Sequence, residues 1–83
     1  INPVENNQEY KEMKLRQLVI TGNSPLLDIS LKDSGIRDNY KCMVIGLEEG
    51  KERLSQVPPS RKFRKGDIVW IVGEEENLKL LMD

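Results

Sequence analysis

The stretch IVWIV at residues 68–72 decides the fold, because it is the most strand-like segment of the chain. Its branched and aromatic residues favour a pleated sheet, and Gly73 ends the run. Trp70 alternates with Ile68 and Val72, which predicts a place in the core or at an interface between copies. Residues 74–82 then predict a helix, whose N-terminal glutamates complement the helix dipole.

Three more strands are predicted before this one. The run KCMVIGL at residues 41–47 is almost wholly apolar, which indicates a strand buried on both faces. Residues 48–51 predict a hairpin turn in which Gly50 can adopt a positive φ. The return strand should span residues 52–57 and end at the two following prolines. Residues 15–21 supply the remaining strand, which stops at a Gly-Asn-Ser-Pro turn.

A short helix is predicted over residues 26–34. Leu27 and Leu31 are four apart and would share one helix face. Gly35 stands where helices commonly end in a left-handed conformation, and Ile36 is placed to contact Leu31. The predicted order is therefore strand-helix-strand-strand-strand-helix, an α/β chain.

The chain should hold one domain. Residues 1–12 are polar and lack a sustained apolar period, so we expect a linker or disordered leader, followed by the domain at residues 13–83. A domain of this size has a thin core, which pairing with a second copy would help. Because the chain begins with Ile1, we expect it to be a piece of a longer protein. No stretch approaches the roughly 20 apolar residues of a membrane helix, so direct membrane insertion is not expected.

The composition argues against several classes of function. The chain has 13 basic and 14 acidic residues, a net charge of -1, so it lacks long-range attraction to nucleic acid. It has no histidine and a single cysteine, Cys42, so neither a structural zinc site nor a histidine-assisted nucleophile can form within one chain. We expect no catalytic residues, no metal ligands and no enzyme activity. The unpaired cysteine fits a reduced, cytoplasmic setting.

Some features have a plain and a functional interpretation. The turn at residues 22–25 could hold an anion, but a capped turn explains it better. The basic run at residues 61–65 could meet phosphates, but a solvated turn with Phe63 in the core is favoured. Glu74 to Glu76 are explained by charge at a helix start, and Cys42 by an inert place in a buried strand.

A longer pattern carries a resemblance. It consists of LVITGNSPL at 18–26, LKDSGIR at 31–37, CMVIGLEEG at 42–50, the prolines at 58–59 and FRKGDIVWIVG at 63–73. In this order and spacing, residues 15–81 resemble the TrkA-C domain family, also called RCK-C. The variant is similar to those on the cytoplasmic C-terminal parts of bacterial cation:proton antiporters, the potassium/proton type especially.

The resemblance implies a small α+β domain with a mostly antiparallel sheet, usually dimeric. Several family members bind cyclic di-AMP in the dimer cleft. Their contacts come from the start of the second core strand and from the proline-containing strand end. We therefore expect the effector to meet residues around these two places, while no cofactor is required. Arg37 and Lys41 add positive charge near the start of the second core strand. The candidate ligand-binding residues are therefore Arg37, Asn39, Lys41, Cys42, Met43, Pro58 and Pro59.

Two functions follow as expectations. The first is a cytoplasmic regulatory domain of a bacterial inner-membrane cation transporter, a potassium or sodium/proton antiporter, with the effector at a dimer interface. Its partners would be a second copy and the membrane transport domain of the same polypeptide. The alternative is a purely structural dimerisation module of a potassium channel, uptake system or other transport protein.

Overall fold

The computed structural model describes residues 11–82 and contains a four-stranded antiparallel sheet followed by one helix. The elements are β1 (Met13–Val19), β2 (Met43–Glu49), β3 (Glu52–Leu54), β4 (Ile68–Glu74) and α1 (Glu75–Met82). The strand order is β1-β4-β2-β3, and every neighbouring pair is antiparallel. The expected α+β class with an antiparallel sheet is thus confirmed. Most of the proposed leader, residues 1–10, lies outside the described residues.

Strand β4 is the centre of the sheet, as its sequence predicts. It pairs with β1 over seven residues and with β2 on its other side. Val69 and Ile71 point to the side covered by α1 and are 0% exposed, because strand side chains alternate between the two faces. Trp70 points the other way and is only partly buried, so it does not belong to the core of a single copy. Its place at an interface stays a prediction.

Strand β2 corrects the prediction of a strand buried on both faces. Val44 and Leu47 pack on the covered side, whereas Met43 is 63% and Ile45 44% exposed on the opposite side. A register shift between Val44 and Gly46 leaves Ile45 as an extra residue in the strand. An apolar run thus does not report two-sided burial within one copy of this chain.

The segment at residues 26–34 corrects the predicted order strand-helix-strand-strand-strand-helix. It forms successive turns, so the described order is four strands and then one helix. Asp28 has a φ of 65°, which a right-handed helix cannot accommodate. The N–H groups of Asp28 and Leu31 donate to the carbonyls of Phe63 and Arg61, at 2.8 and 3.0 Å. These distant acceptors replace the bonds that a helix would make within the segment.

The two glycine turns behave as the sequence predicts. Gly50 has a φ of 58° in the turn between β2 and β3, although β3 ends earlier than expected. Gly35 has a φ of 76°, the left-handed conformation predicted for it, but it closes a turn rather than a helix. A Cβ on Gly35 would lie 2.5 Å from Nδ2 of Asn39, so a larger residue would be both strained and crowded.

The covered side of the sheet packs against α1, against the loop between β1 and β2, and against the loop between β3 and β4. Phe63 is fully buried there, which confirms its interpretation as a core residue, and Leu78 of α1 is buried beside it. Other buried residues of this core are Ile20, Leu26, Ile36, Cys42, Leu47, Val69 and Ile71.

A buried ion pair fastens the covering loop to the sheet. Arg61 donates two hydrogen bonds to the carboxylate of Asp67, at 2.9 and 3.2 Å, and the Arg64 N–H donates a third at 2.8 Å. Hydrogen bonding to Asp67 raises the pKa of Arg61 above its ordinary value. One cation of the basic run is therefore used inside the fold, and only part of the run is solvated.

Candidate ligand-binding cavity

A cavity of about 610 Å³ opens between the loop at residues 31–38 and the start of β2. Its floor is apolar and its rim carries charged side chains. Its lining consists of Leu31, Lys32, Gly35, Ile36, Arg37, Asp38, Cys42, Met43, Val44 and Pro59.

Backbone hydrogen bonds fold this loop back onto the sheet. The Gly35 carbonyl accepts the N–H groups of Asn39 and Tyr40, at 2.8 and 3.0 Å. The Cys42 N–H then donates to the Ile36 carbonyl at 2.9 Å, just before β2 begins. The side chain of Ile36 is buried in the core, so packing as well as hydrogen bonding holds the turn that starts at Gly35. The left-handed Gly35 therefore shapes one wall of the cavity.

Pro59 reaches the cavity through a second set of backbone bonds. Its carbonyl accepts the N–H of Lys32 at 2.9 Å, which joins the proline segment to the 31–38 loop. The carbonyl of the preceding Pro58 instead accepts the backbone N–H of Arg61 at 3.0 Å. Only the second of the two prolines lines the cavity.

Cys42 forms part of the wall as a small apolar group. Its side chain is buried and lies against Gly73, where an added Cβ would come within 2.6 Å of the sulfur. Burial raises the pKa of the Cys42 thiol, so the nucleophilic thiolate is disfavoured. These contacts support the interpretation of Cys42 as an inert packing residue.

The rim of the cavity carries two cations and one carboxylate. Lys32, Arg37 and Asp38 are exposed, and within residues 11–82 none of the three enters a salt bridge. An apolar floor with a few charged groups at the edge is the usual composition of small-molecule sites. The excess of positive charge at the rim suits a ligand that carries both an apolar ring and an anionic group.

The structure brings together four of the seven residues that the sequence nominated. Arg37, Cys42, Met43 and Pro59 line the cavity, and their contact with a ligand stays a prediction. The other three, Asn39, Lys41 and Pro58, do not line it. Lys41 instead occupies a strained turn with a φ of 56°.

Six other lining residues were not nominated from the sequence. They lie in the LKDSGIR motif, directly after it, or in β2, so the motif itself was the available signal, although each residue has an ordinary structural interpretation. They are Leu31, Lys32, Gly35, Ile36, Asp38 and Val44.

Other kinds of site are not seen in the described part of the chain. Residues 11–82 hold no group of three or more His, Cys, Asp or Glu side chains suited to a metal ion. No helix among them is long and apolar enough to cross a membrane.

Comparison with other sequences identifies the family. The TrkA-C domain matches residues 15–83. The chain is 38% identical over 74 residues to the probable potassium channel protein 2 of Methanocaldococcus jannaschii, covering 88% of this chain and 22% of that protein. It is 30% identical over 71 residues to potassium channel protein 1 of the same organism, covering 86% and 21%. The chain thus spans about a fifth of the length of these relatives.

Solved structures share the fold. The RCK C domain of the potassium transport protein KtrA, in complex with cyclic di-AMP, superposes with a TM-score of 0.77 at 25% identity, covering 86% of this chain and 81% of that one. The RCK-C domain dimer of S. agalactiae BusR, also in complex with cyclic di-AMP, gives a TM-score of 0.70 at 15% identity, covering 82% and 93%. At that lower identity, the comparison shows a shared fold.

Fold and sequence together define a small α+β domain of a regulatory and not a catalytic class. The chain belongs to the TrkA-C family.

Proposed function

We propose that the chain is the effector-binding regulatory domain of a potassium transport protein, and that the effector is cyclic di-AMP. The cavity beside β2 carries this proposal. Its volume of about 610 Å³ suits a small-molecule ligand, and it joins an apolar floor to a cationic rim. The similarity to the KtrA domain, whose structure contains cyclic di-AMP, supports the choice of ligand.

The lining residues suggest a role for each part of the ligand. Ile36, Val44 and Pro59 offer apolar surface on which an adenine ring can pack. Lys32 and Arg37 at the rim would make charge-assisted hydrogen bonds with a phosphate. One cavity would hold one half of the dinucleotide.

A pair of chains would hold the whole ligand. Cyclic di-AMP has two-fold symmetry, and a two-fold dimer presents the same cavity twice. Binding would favour the arrangement in which the two cavities are close, and a linker would pass this bias to a membrane transport domain. We infer that the host lies in the inner membrane with this domain on the cytoplasmic side, and that it is a potassium channel or a cation:proton antiporter. The channel relatives support potassium as the ion.

Isothermal titration calorimetry tests the effector directly. We expect the 83-residue chain to bind cyclic di-AMP with a micromolar dissociation constant. Lys32→Ala and Arg37→Ala should each weaken binding by at least about tenfold, because each removes a charged hydrogen-bond donor. Lys79→Ala is the matched control, since Lys79 is exposed on α1 and does not line the cavity.

The outcomes separate the ligand from its position. No heat with wild type at about 100 µM cyclic di-AMP would remove this ligand from the proposal. Binding that ignores both rim variants would move the site away from the cavity. Cyclic di-GMP has the same phosphates and different bases, so equal binding of both dinucleotides would show that the floor does not select adenine.

The alternative is a purely structural dimerisation module. It is favoured by one observation, the row of exposed apolar side chains on the side of the sheet away from α1. Such a module would form a dimer and give no heat with either dinucleotide, so the same titration distinguishes the two functions.

A further inference from the structure

The charged side chains at the rim of the cavity leave one net positive charge. Lys32 and Arg37 each contribute one positive charge, and Asp38 contributes one negative charge. All three side chains are exposed, and none forms a salt bridge with another side chain of residues 11–82. They are therefore available to a ligand, and Asp38 opposes the attraction that the two cations exert on an anion.

The other lining residues do not alter this balance. Among those that the structure describes, Cys42 is the one further titratable residue, and burial raises the pKa of its thiol, so it stays neutral. Asp33 and Lys41 belong to the same loop without lining the cavity, and their charges cancel. Asp33 also accepts the hydroxyl hydrogen bond of Ser30 at 3.0 Å. The charge that a ligand meets is thus positive by one.

Phosphate esters differ in charge according to the number of their ester bonds. A phosphodiester carries one negative charge at pH 7, whereas a terminal phosphate, with a second pKa near 6, carries about 1.5 to 2. Half of cyclic di-AMP therefore brings one negative charge to each cavity, which the rim matches. When water adds across one P–O bond of the ring, a terminal phosphate and a free hydroxyl replace one diester. The ring-opened dinucleotide then brings an excess of negative charge to one cavity.

We propose that Asp38 makes the site selective for the closed ring, by repelling the terminal phosphate of ring-opened and mononucleotide forms. This inference rests on the proposed function and names the residue that sets ligand specificity there. Lys32 and Arg37 attract a diester and a terminal phosphate alike. A carboxylate beside them weakens the binding of both, and more so for the form with the larger negative charge.

This selectivity bears on how the signal ends. A hydrolysis of the phosphodiesterase class that opens the ring would convert a ligand matched to the rim into one that Asp38 repels. A single cleavage would then favour release of the effector, and its product would compete poorly with intact ligand. Because the rim is exposed, one carboxylate should change the preference severalfold and not by orders of magnitude.

Isothermal titration calorimetry with two ligands tests the role of Asp38. The ligands are cyclic di-AMP and the ring-opened dinucleotide with one terminal phosphate, at pH 7.5 and about 50 mM salt. We expect the wild type to bind the closed ring more tightly. In Asp38→Asn the ratio of the two dissociation constants should fall about two- to fourfold, because the extra negative charge is no longer repelled. The flexibility of the open chain affects both proteins equally and cancels in this comparison.

Glu52→Gln is the matched control. It removes the same charge from an exposed residue of β3 that does not line the cavity, so it should leave the ratio unchanged. Thermal melting midpoints close to that of the wild type will show that both variants fold. Raising the salt to about 500 mM should also narrow the preference of the wild type, because salt screens exposed charges.

The outcomes separate this inference from the proposed function. No heat from the wild type with cyclic di-AMP would remove the proposed function, and this inference with it. Equal affinity of the wild type for the closed and opened dinucleotides would overturn the inference alone. A preference that Asp38→Asn or added salt leaves unchanged would overturn it too, because the shape of the ring would then be what the site selects. A ratio that falls in Asp38→Asn and not in Glu52→Gln would support it.

Discussion

The two faces of the sheet are built from the same strands but differ in what covers them. On β4, Val69 and Ile71 are fully buried by α1 and by the loop that carries Phe63. Trp70 between them points to the outer face, the side of the sheet away from α1, and is partly exposed. Alternation along a strand normally pairs an apolar side with a polar one. An IVWIV strand is apolar on both sides. One side is closed by folding, and we propose that the other is closed by association.

The largest expected effect concerns the ion pair between Arg61 and Asp67, which holds a loop over the covered face of the sheet. Asp67→Ala should lower the free energy of unfolding by about 3–5 kcal/mol, because it removes three hydrogen bonds to a buried carboxylate and leaves Arg61 with the half-exposed Glu49, at 3.4 Å, as its ion-pair partner. Glu75→Ala is the control, since Glu75 pairs with Arg16 at 3.0 Å with both side chains about two-fifths exposed, and it should cost under about 1 kcal/mol. Urea denaturation measures both, and equal losses would mean that the Asp67 pair does not hold the loop.

A matched pair of isoleucines compares the two faces directly. Ile71→Ala removes a 0% exposed side chain and should cost about 2–5 kcal/mol, because it opens a cavity in the core. Ile45→Ala removes the same atoms from the outer face and should cost under about 1 kcal/mol in the monomer. Urea denaturation at about 1 µM protein favours the monomer, because dilution dissociates a reversible dimer. Similar losses for the two variants would contradict the difference between the faces.

Local sequence patterns predicted the strands and α1 but not the segment at residues 26–34. The leucine spacing there suits a helix, whereas the structure depends on Asp28 in a left-handed conformation and on its bond to the carbonyl of Phe63. That acceptor is distant in sequence, so no local pattern contains it. The exposure of Met43 and Ile45 was missed for another reason. A run that is apolar at every position looks the same whether its second face meets the core or another molecule.

The candidate site was predicted in part. Arg37, Cys42, Met43 and Pro59 were nominated by family resemblance together with the local charge, and the fold brings them to one cavity. Lys32 was missed because a lysine in a predicted surface helix is ordinarily solvated. Its position at the rim depends on the bond from its N–H to the Pro59 carbonyl, which only the folded chain shows.

A smaller effect is expected where the cavity loop turns. Gly35→Val should destabilise the fold by more than about 1 kcal/mol, since Gly35 has a φ of 76° and a Cβ there would meet Asn39. Gly22→Val is the control, because a Cβ on Gly22 has no neighbour within 4 Å and its φ is not positive. Thermal melting compares the two. If both midpoints shift equally, the left-handed turn is not what shapes the cavity wall.

The smallest expected effect reports closure of the outer face. Trp70 is the single tryptophan of the chain and lies in the middle of that face. Its emission should shift a few nanometres to the blue as the protein concentration rises from about 1 to 500 µM, because the dimer removes water from the indole. Leu80→Glu, on α1, should show the same shift, and Leu15→Glu, on the outer face, should show none. A spectrum independent of concentration in the wild type would argue against closure by a second copy.

The central claim is that the chain completes its ligand site as a pair. Native mass spectrometry of the wild-type chain at about 20 µM, with excess cyclic di-AMP, counts both components of each complex. We expect the main ligand-bound species to contain two chains and one cyclic di-AMP, because each cavity takes half of a two-fold ligand. A main species of one chain with one cyclic di-AMP would contradict the shared site, and so would a dimer that carries no ligand at all.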